Sequence, residues 1–161
     1  MARVAKEIAR HRTVVWPNSD DFKKAIETRS LYGVGITKFI ILEYDKSLKG
    51  DSPKDIPWIE HILSTTPDNA WFEAFSRVEH EEMKDRLANL LPLSSQMNIT
   101  LSNKLYTDKR PKFRGDSMFK STRQFAENTA NWNPLELKKR ASVISEWALR
   151  RWPHERPKLK D

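Results

Sequence analysis

The sequence predicts an α+β domain that is mainly helical and holds one small β element. Several segments place apolar residues three and four positions apart, which is typical of helices that bury one face. Residues 58–63 and 90–93 form two short apolar runs that read better as strands than as helices. A chain of 161 residues is long enough for one domain with a core of its own.

Composition narrows the protein class before any motif is considered. With 38% hydrophobic residues and six Trp, the chain can bury a core and is not compositionally disordered. The absence of Cys excludes disulfide scaffolds, Cys-ligated zinc sites, iron–sulfur clusters and Cys nucleophiles. No apolar run approaches 18 residues and the first residues lack the apolar stretch of a secretion signal, so a cytoplasmic location and no membrane partner are expected. A net charge of +7 favours polyanionic partners without naming one.

The helical segments follow from periodicity and capping residues. Ser19 begins the first helix, with Asp20 and Asp21 in its first turn, where carboxylates suit the positive helix end. Further helices are predicted at residues 38–48, 69–87, 98–106 and 117–128. The expected organisation is a basic N-terminal arm (1–17), a single domain (18–153) and a basic C-terminal tail (154–161).

The last helix is the best specified element. Asn133 is suited to cap it, Pro134 to occupy its first position, and Glu136 to complete a capping box. Leu137 and later apolar residues recur at helical spacing until Pro153, which stops the helix. Trp71, Trp147 and Trp152 lie on such apolar stripes and are expected in the core.

Glu60 and His61, with Asn89 and Asn98 further on, carry the chemistry that the sequence indicates. A phosphodiester bond can be hydrolysed by one hard divalent cation, a general base and a positive surface. A neutral imidazole suits the base, and carboxylate and amide oxygens are hard ligands suited to Mg²⁺ (or Mn²⁺). Neighbouring residues of a strand point to opposite sides, so His61 can face the scissile phosphate while Glu60 turns toward the metal.

The ordered motifs resemble the GmrSD-type restriction endonuclease C-terminal domain family, which carries an HNH-like nuclease site of the ββα-metal type. The resemblance covers about four-fifths of the chain. It rests on segments 59–63, 87–94 and 98–104, on Lys109, on Ser121-Thr122-Arg123, and on the closing Trp132, Arg140-Ala141 and Trp152-Pro153. It implies a ββα-metal core inside a helical shell.

Site roles are implied position by position. His61 would be the general base, Asn98 the helix-borne metal ligand and Glu60 a second ligand. Asn89 would brace the loop and orient His61. Asn103 is a secondary candidate in a Ser-Asn-Lys element. The chain has Ser64 where the family usually has Pro, and Ala88 where it usually has Gly, differences that concern backbone shape rather than catalytic atoms.

A basic stretch follows the proposed metal helix. It would hold DNA by its phosphates, with little base specificity. Its expected DNA contacts are Lys104, Lys109, Arg110, Lys112 and Arg123.

The resulting prediction is a divalent-metal-dependent HNH-type endonuclease that nicks or cuts DNA in restriction or phage defence. The resemblance implies an N-terminal sensor domain or a separate sensor subunit as partner. Two alternatives stay open: an inactive nucleic-acid-binding module that retains the fold, and a protein-interaction module that uses the Trp-rich helices.

Other polar residues have simpler interpretations. Asn98 alone is also a good helix N-cap. His80, amid Glu79, Glu81 and Glu82, is expected on a solvated helix face, and His11 and His154 on the surface.

Overall fold

A computed structural model describes residues 17–48, 53 and 57–152. Pro17 apart, the predicted arm lies outside these residues, as do the tail, His11 and His154. Within them the fold is mixed α+β, with a small two-stranded sheet among helices, as predicted. The α-helices are α1 (Ser19–Thr28), α2 (Thr37–Ser47), α3 (Arg77–Met83), α4 (Ser95–Leu101), α5 (Tyr106–Asp116), α6 (Lys120–Asn128) and α7 (Pro134–Arg151), and the strands are β1 (Trp58–His61) and β2 (Leu90–Leu93).

The two strands pair antiparallel in a register that joins His61 to Leu90 and Trp58 to Leu93. Pro92 is tolerated in β2 because the sheet has only two strands and leaves one edge of β2 unpaired. The Pro92 carbonyl on that strand accepts a hydrogen bond from Thr122 Oγ1 of α6, at 2.8 Å. Helix α4 follows β2 directly, so β1, β2 and α4 form a ββα unit in chain order.

Strand β2 is buried on both faces and separates two apolar clusters. Leu91 and Leu93 point into one cluster with Trp71, Phe75 and Phe113. Leu90 points the other way, into the cluster formed with α1, α2 and the later part of α7. This alternation is the two-residue period of a strand, and it explains why all four residues of β2 are buried.

Helix α7 joins the two clusters and begins as predicted, except that the reciprocal half of the capping box is not found among the described residues: the Glu136 side chain accepts from Lys139 Nζ at 2.6 Å. The Asn133 side chain accepts a hydrogen bond from the Glu136 backbone N–H, and Pro134 is the first helical residue. Its early residues Leu137 and Ala141 lie in the Phe113 cluster, and Ile144 and later ones lie in the Leu90 cluster.

The predicted helix over 69–87 is wrong as a single element. A short 3₁₀ helix (Asn69–Glu73) ends before Ser76, which starts α3 with a full capping box to Glu79. The Ser76-x-x-Glu79 pattern could have revealed this second start. Val78, near the start of α3, is exposed.

The predicted helix over 98–106 also has different bounds in the structure. Ser94 caps α4, so Asn98 lies inside the helix and is not its N-cap. A second helix, α5, starts only at Tyr106, and α6 begins at Lys120, three residues later than expected.

None of the helices in the described ranges is both long and apolar enough to span a membrane.

Candidate active site

A polar cleft of about 410 Å³ opens beside the end of β1, and it brings four of the predicted site residues together. Glu60 and His61 line it from β1, Asn98 from α4, and Asn103 from the turn after α4. Residues from two further segments complete the walls: Tyr32, Ser64, Thr65 and Thr66. Residues 30 to 40 positions apart in the chain therefore meet at one site.

The imidazole of His61 is held by two neighbours. Its Nε2 lies 3.2 Å from Asp85 Oδ1, and the Tyr32 ring packs edge-on at 4.2 Å between ring centroids. An ionised Asp85 only accepts hydrogen bonds, so this contact favours the tautomer with the proton on Nε2 and a lone pair on Nδ1. No other hydrogen bond of this ring is found in the described part of the chain.

Burial lowers the pKa of His61, while the hydrogen bond and charge of Asp85 act against this effect. A lowered pKa keeps the imidazole neutral at neutral pH, which is the form that can accept a proton.

Sequence reasoning missed Asp85. It lies just after α3 in a run of charged residues where nothing distinguishes it from a solvated residue. Its backbone carbonyl also accepts hydrogen bonds from the backbone N–H groups of Leu31 and Tyr32, at 2.8 and 3.1 Å. Asp85 thus fixes both the His61 ring and the segment that carries Tyr32.

Asn89 is fully buried and holds the loop that follows His61. Its Oδ1 accepts from the Leu63 backbone N–H at 2.8 Å and from Trp132 Nε1 at 3.1 Å. Its Nδ2 donates to the carbonyls of Leu63 and Lys84, at 3.0 and 2.7 Å. Every polar atom of the amide is satisfied, so Asn89 has the geometry of a brace and no access to substrate.

Arg140 of α7 fixes the backbone on both sides of Asn89. Its guanidinium donates to the carbonyls of Ala88 and Leu90. Burial lowers the pKa of Arg140 to about 10, so the side chain stays charged at neutral pH. Ala88, at the position where Gly was expected, is buried within this clamp and is compatible with it.

Glu60 points away from His61, as strand geometry requires, and pairs with Lys109. Lys109 Nζ lies 2.6 Å from Glu60 Oε1 and also donates to the His61 carbonyl at 2.9 Å. Lys109 is fully buried, so the prediction that it contacts DNA is wrong for this structure. Burial lowers its pKa, while the Glu60 charge acts in the opposite direction, and three hydrogen-bond acceptors surround the ammonium group.

Asn98 and Asn103 both border the cleft but differ in their surroundings. Asn98 is half-buried inside α4, whereas Asn103 is exposed and its carbonyl accepts from Trp71 Nε1 at 3.4 Å. Between them Ser102 ends α4 with a φ of 44°, in the region that favours glycine. This backbone turns the chain so that both Ser102 and Asn103 face the cleft.

The remaining basic candidates do not form one surface at the cleft. Lys104 is exposed and directly follows Asn103. Lys112 pairs with Asp116 at 2.9 Å, and Arg110 donates to the Ala126 carbonyl at 2.9 Å. Arg123 donates to the Ser117 carbonyl, and none of these three lines the cleft. Lys104 does not line the cleft either, although it is next in the chain to Asn103, which does.

His80 is buried instead of solvated, which corrects the sequence-based expectation. Its Nε2 is 2.7 Å from the Ser64 carbonyl, and its Nδ1 is 3.1 Å from Glu81 Oε1. Ser64 replaces the expected Pro and accepts a hydrogen bond on Oγ from the Thr66 backbone N–H at 3.1 Å. The hydrogen bond between Ser64 and Thr66 and the contact with His80 together hold the loop that follows β1.

Strands β1 and β2 form a paired antiparallel ribbon that helix α4 follows, and His61 lies at the end of β1 beside the cleft. In the family comparison, residues 16–147 match the C-terminal domain of GmrSD restriction endonucleases. The chain belongs to that family, which associates it with restriction endonucleases acting on DNA. A comparison with curated proteins finds none that matches the chain.

Proposed function

We propose that this domain is a divalent-metal-dependent endonuclease that hydrolyses DNA phosphodiester bonds. The observation that carries the proposal is the His61 ring, whose Nε2 is occupied by Asp85 and whose Nδ1 has no partner among the described residues. It lines a polar cleft together with the oxygen donors Glu60 and Asn98.

In this proposal His61 acts as the general base. The Nδ1 atom of the neutral ring accepts a proton from a water molecule, and the oxygen of that water attacks the phosphorus of the scissile phosphate. The bond between phosphorus and the leaving sugar oxygen breaks, and that oxygen takes up a proton from solvent. Asp85 holds the ring in the productive tautomer and stabilises the imidazolium that forms. Asn89 and Arg140 fix the backbone that presents His61, without touching substrate.

Glu60 and Asn98 would hold the cation, Mg²⁺ or Mn²⁺. Both residues line the cleft and carry hard oxygen donors, but the Glu60 carboxylate is buried against Lys109 and would have to turn from it to reach the cation. Mg²⁺ commonly takes few protein ligands, with water and substrate phosphate supplying the rest. Among the described residues, no group of three His, Cys, Asp or Glu side chains could hold a metal ion, so the proposed site depends on Glu60 and Asn98 alone. When bound, the cation would stabilise the charge that develops on the phosphate oxygens.

Lys109 limits the affinity for that cation. Its ammonium group already lies 2.6 Å from Glu60 Oε1, so it neutralises much of the carboxylate charge. We therefore expect the metal to bind weakly to the protein alone and more tightly together with DNA.

The test is nicking of supercoiled plasmid by wild type, His61→Ala and Lys139→Ala, each with Mg²⁺, Mn²⁺ or EDTA. Lys139 is exposed, pairs with Glu136 and lies outside the cleft, so its variant is the control. Loss of a general base predicts nicking slower by about 100-fold or more for His61→Ala. Equal nicking by all three proteins would refute the proposal.

An inactive DNA-binding module is the main alternative, and the same assay separates it. It predicts DNA binding that persists in EDTA, with no cleavage in any metal. A protein-interaction module predicts weak DNA binding that is insensitive to salt, whereas phosphate contacts predict a steep loss of affinity with salt.

The role in restriction or phage defence, the cytoplasmic location and the sensor partner belong to the same proposal. Family membership supports them by association with restriction enzymes. Co-purification of the tagged chain from its host, followed by identification of bound subunits, would test the sensor partner.

A further inference from the structure

Two exposed aromatic side chains lie at the boundary between the His61 cleft and a second groove. Trp58 of β1 and Tyr32 of the turn between α1 and α2 are 56% and 49% exposed, although both are large rings. The second groove has a volume of about 680 Å³ and shares Tyr32, Trp58 and Ile59 with the cleft. The two depressions are therefore continuous at these rings.

The charge and shape of the second groove suit a nucleic acid. Exposed Lys38 lines it, and no ion pair of Lys38 is found among the described residues. The groove is also lined by Gly33 and Gly35, where an added side-chain carbon would meet no heavy atom within 4 Å. The groove therefore has open space beside these glycines, and its lining includes a cation and two aromatic rings.

Tyr32 connects this groove to the candidate base, since its ring packs against His61 at 4.2 Å. A nucleotide next to the scissile phosphate would therefore reach these rings when the phosphate lies beside His61. Aromatic side chains bind unstacked bases by stacking, whereas the bases of an intact duplex are stacked on each other.

We propose that Trp58, Tyr32 and Lys38 form a nucleotide subsite that holds one unstacked base beside the scissile phosphate. Trp58 provides the stacking surface, and Lys38 contacts the adjoining phosphate. The preferred substrate is then DNA with a single-stranded or extrahelical nucleotide at the cleavage position. This inference refines the proposed nuclease function and rests on it.

The test measures binding by fluorescence anisotropy in EDTA, so that cleavage does not interfere. The probes are a labelled single-stranded oligonucleotide and one of equal length with abasic sites, which has the same phosphates and no bases. The proteins are wild type, Trp58→Ala, Trp58→Tyr and Leu135→Ala. Leu135 is 60% exposed and lines neither depression, so its variant controls for loss of an exposed apolar side chain.

We expect Trp58→Ala to bind the normal oligonucleotide about fivefold more weakly or worse, and the abasic one unchanged. Trp58→Tyr should recover most of the loss because it retains a ring, and Leu135→Ala should match wild type. Equal effects on both probes, or none, would overturn the subsite, as would wild type that binds neither probe.

A second pair of probes identifies the source of the base. A duplex with one bulged nucleotide is compared with a perfect duplex. Tighter binding of the bulged duplex indicates an extrahelical base, whereas preference for the single strand alone indicates unpaired DNA. Either preference supports the subsite, and equal binding of all three contradicts it.

The nuclease proposal and this inference can fail separately. If His61→Ala and wild type are both inactive in plasmid nicking while Trp58→Ala still discriminates the probes, the subsite stands and the nuclease proposal falls. If nicking depends on His61 but Trp58→Ala binds like wild type, only the subsite falls.

Discussion

The His61 and His80 regions contain similar chemical groups but differ in their exposure to solvent. Both histidines contact a carboxylate; His61 directly precedes the loop between β1 and the 3₁₀ helix Asn69–Glu73, and His80 contacts that loop at the Ser64 carbonyl. The His80 side chain is 3% exposed and both ring nitrogens have partners, whereas that of His61 is 11% exposed and has one nitrogen paired. The candidate base is therefore distinguished by a ring nitrogen without a partner within the described ranges and by its place at a cleft, because a neighbouring carboxylate is common to both histidines.

The largest expected effect on stability concerns the buried ion pair between Lys109 and Glu60, whose lysine also donates to the His61 carbonyl. Lys109→Met would leave the Glu60 carboxylate buried without its cation and the His61 carbonyl without its donor. Removing one partner of a buried ion pair costs about 3–5 kcal/mol of unfolding free energy. Thermal unfolding should therefore shift downward by on the order of 10 °C.

Lys112→Met is the matched control on the same helix. Lys112 is exposed and pairs only with Asp116, four residues later, so about 0.5 kcal/mol or less is expected. If Lys109→Met were as stable as Lys112→Met, the buried pair would not support the site.

The second prediction compares alanine substitutions of the two histidines. His80→Ala removes the donor to the Ser64 carbonyl and should lower unfolding free energy by about 1–3 kcal/mol. Its nicking rate per folded molecule should stay far above that of His61→Ala, because neither His80 nitrogen is free. Chemical denaturation and plasmid nicking of both variants check this.

His80→Gln is the control, since the glutamine amide can still donate a hydrogen bond to a carbonyl. It should recover part of the lost stability. A His80→Ala protein as inactive as His61→Ala, while still folded under assay conditions, would remove the distinction between the two regions.

The sequence predicted those parts of the fold that depend on neighbouring residues. Asn133 and Pro134 specify the start of α7 by capping, and the short apolar run of β2 specifies a strand, because these signals act within a few positions. His61, Asn89 and Asn98 could be located because the ordered motifs resemble a family. That resemblance is the reason why His61 and Asn98 were expected at one site and Asn89 was expected to brace the adjoining loop.

Burial and pairing over long chain distances could not be predicted in this way. Lys109 and Lys112 are both lysines of α5, yet one side chain lies under β1 and the other in solvent. Only the packing of α5 against β1 decides between them. Asp85 was missed for the same reason, since its value lies in a contact with a residue 24 positions earlier.

The smallest predicted effect concerns pH and the charge of Asp85. Asp85→Asn keeps an acceptor oxygen near Nε2 and removes the negative charge that raises the pKa of His61. Burial then acts with less opposition, so the pKa of His61 should fall further below its ordinary value. The acidic limb of kcat/KM for plasmid nicking, which reports the free base, should move to lower pH.

Stability should respond with the matching sign. A histidine whose pKa is lower in the folded than in the unfolded state binds fewer protons when folded, so unfolding free energy decreases as pH falls through its unfolded pKa. Asp85→Asn should steepen this decrease on the acid side, while Asp85→Glu, which keeps the charge, should resemble wild type. An acidic limb that moves to higher pH in Asp85→Asn would show that Asp85 does not act on His61 through its charge. Complete loss of nicking with an unchanged fold would instead show that Asp85 acts mainly by fixing the His61 tautomer, because the asparagine amide can donate to Nε2 and so leave the lone pair on that nitrogen.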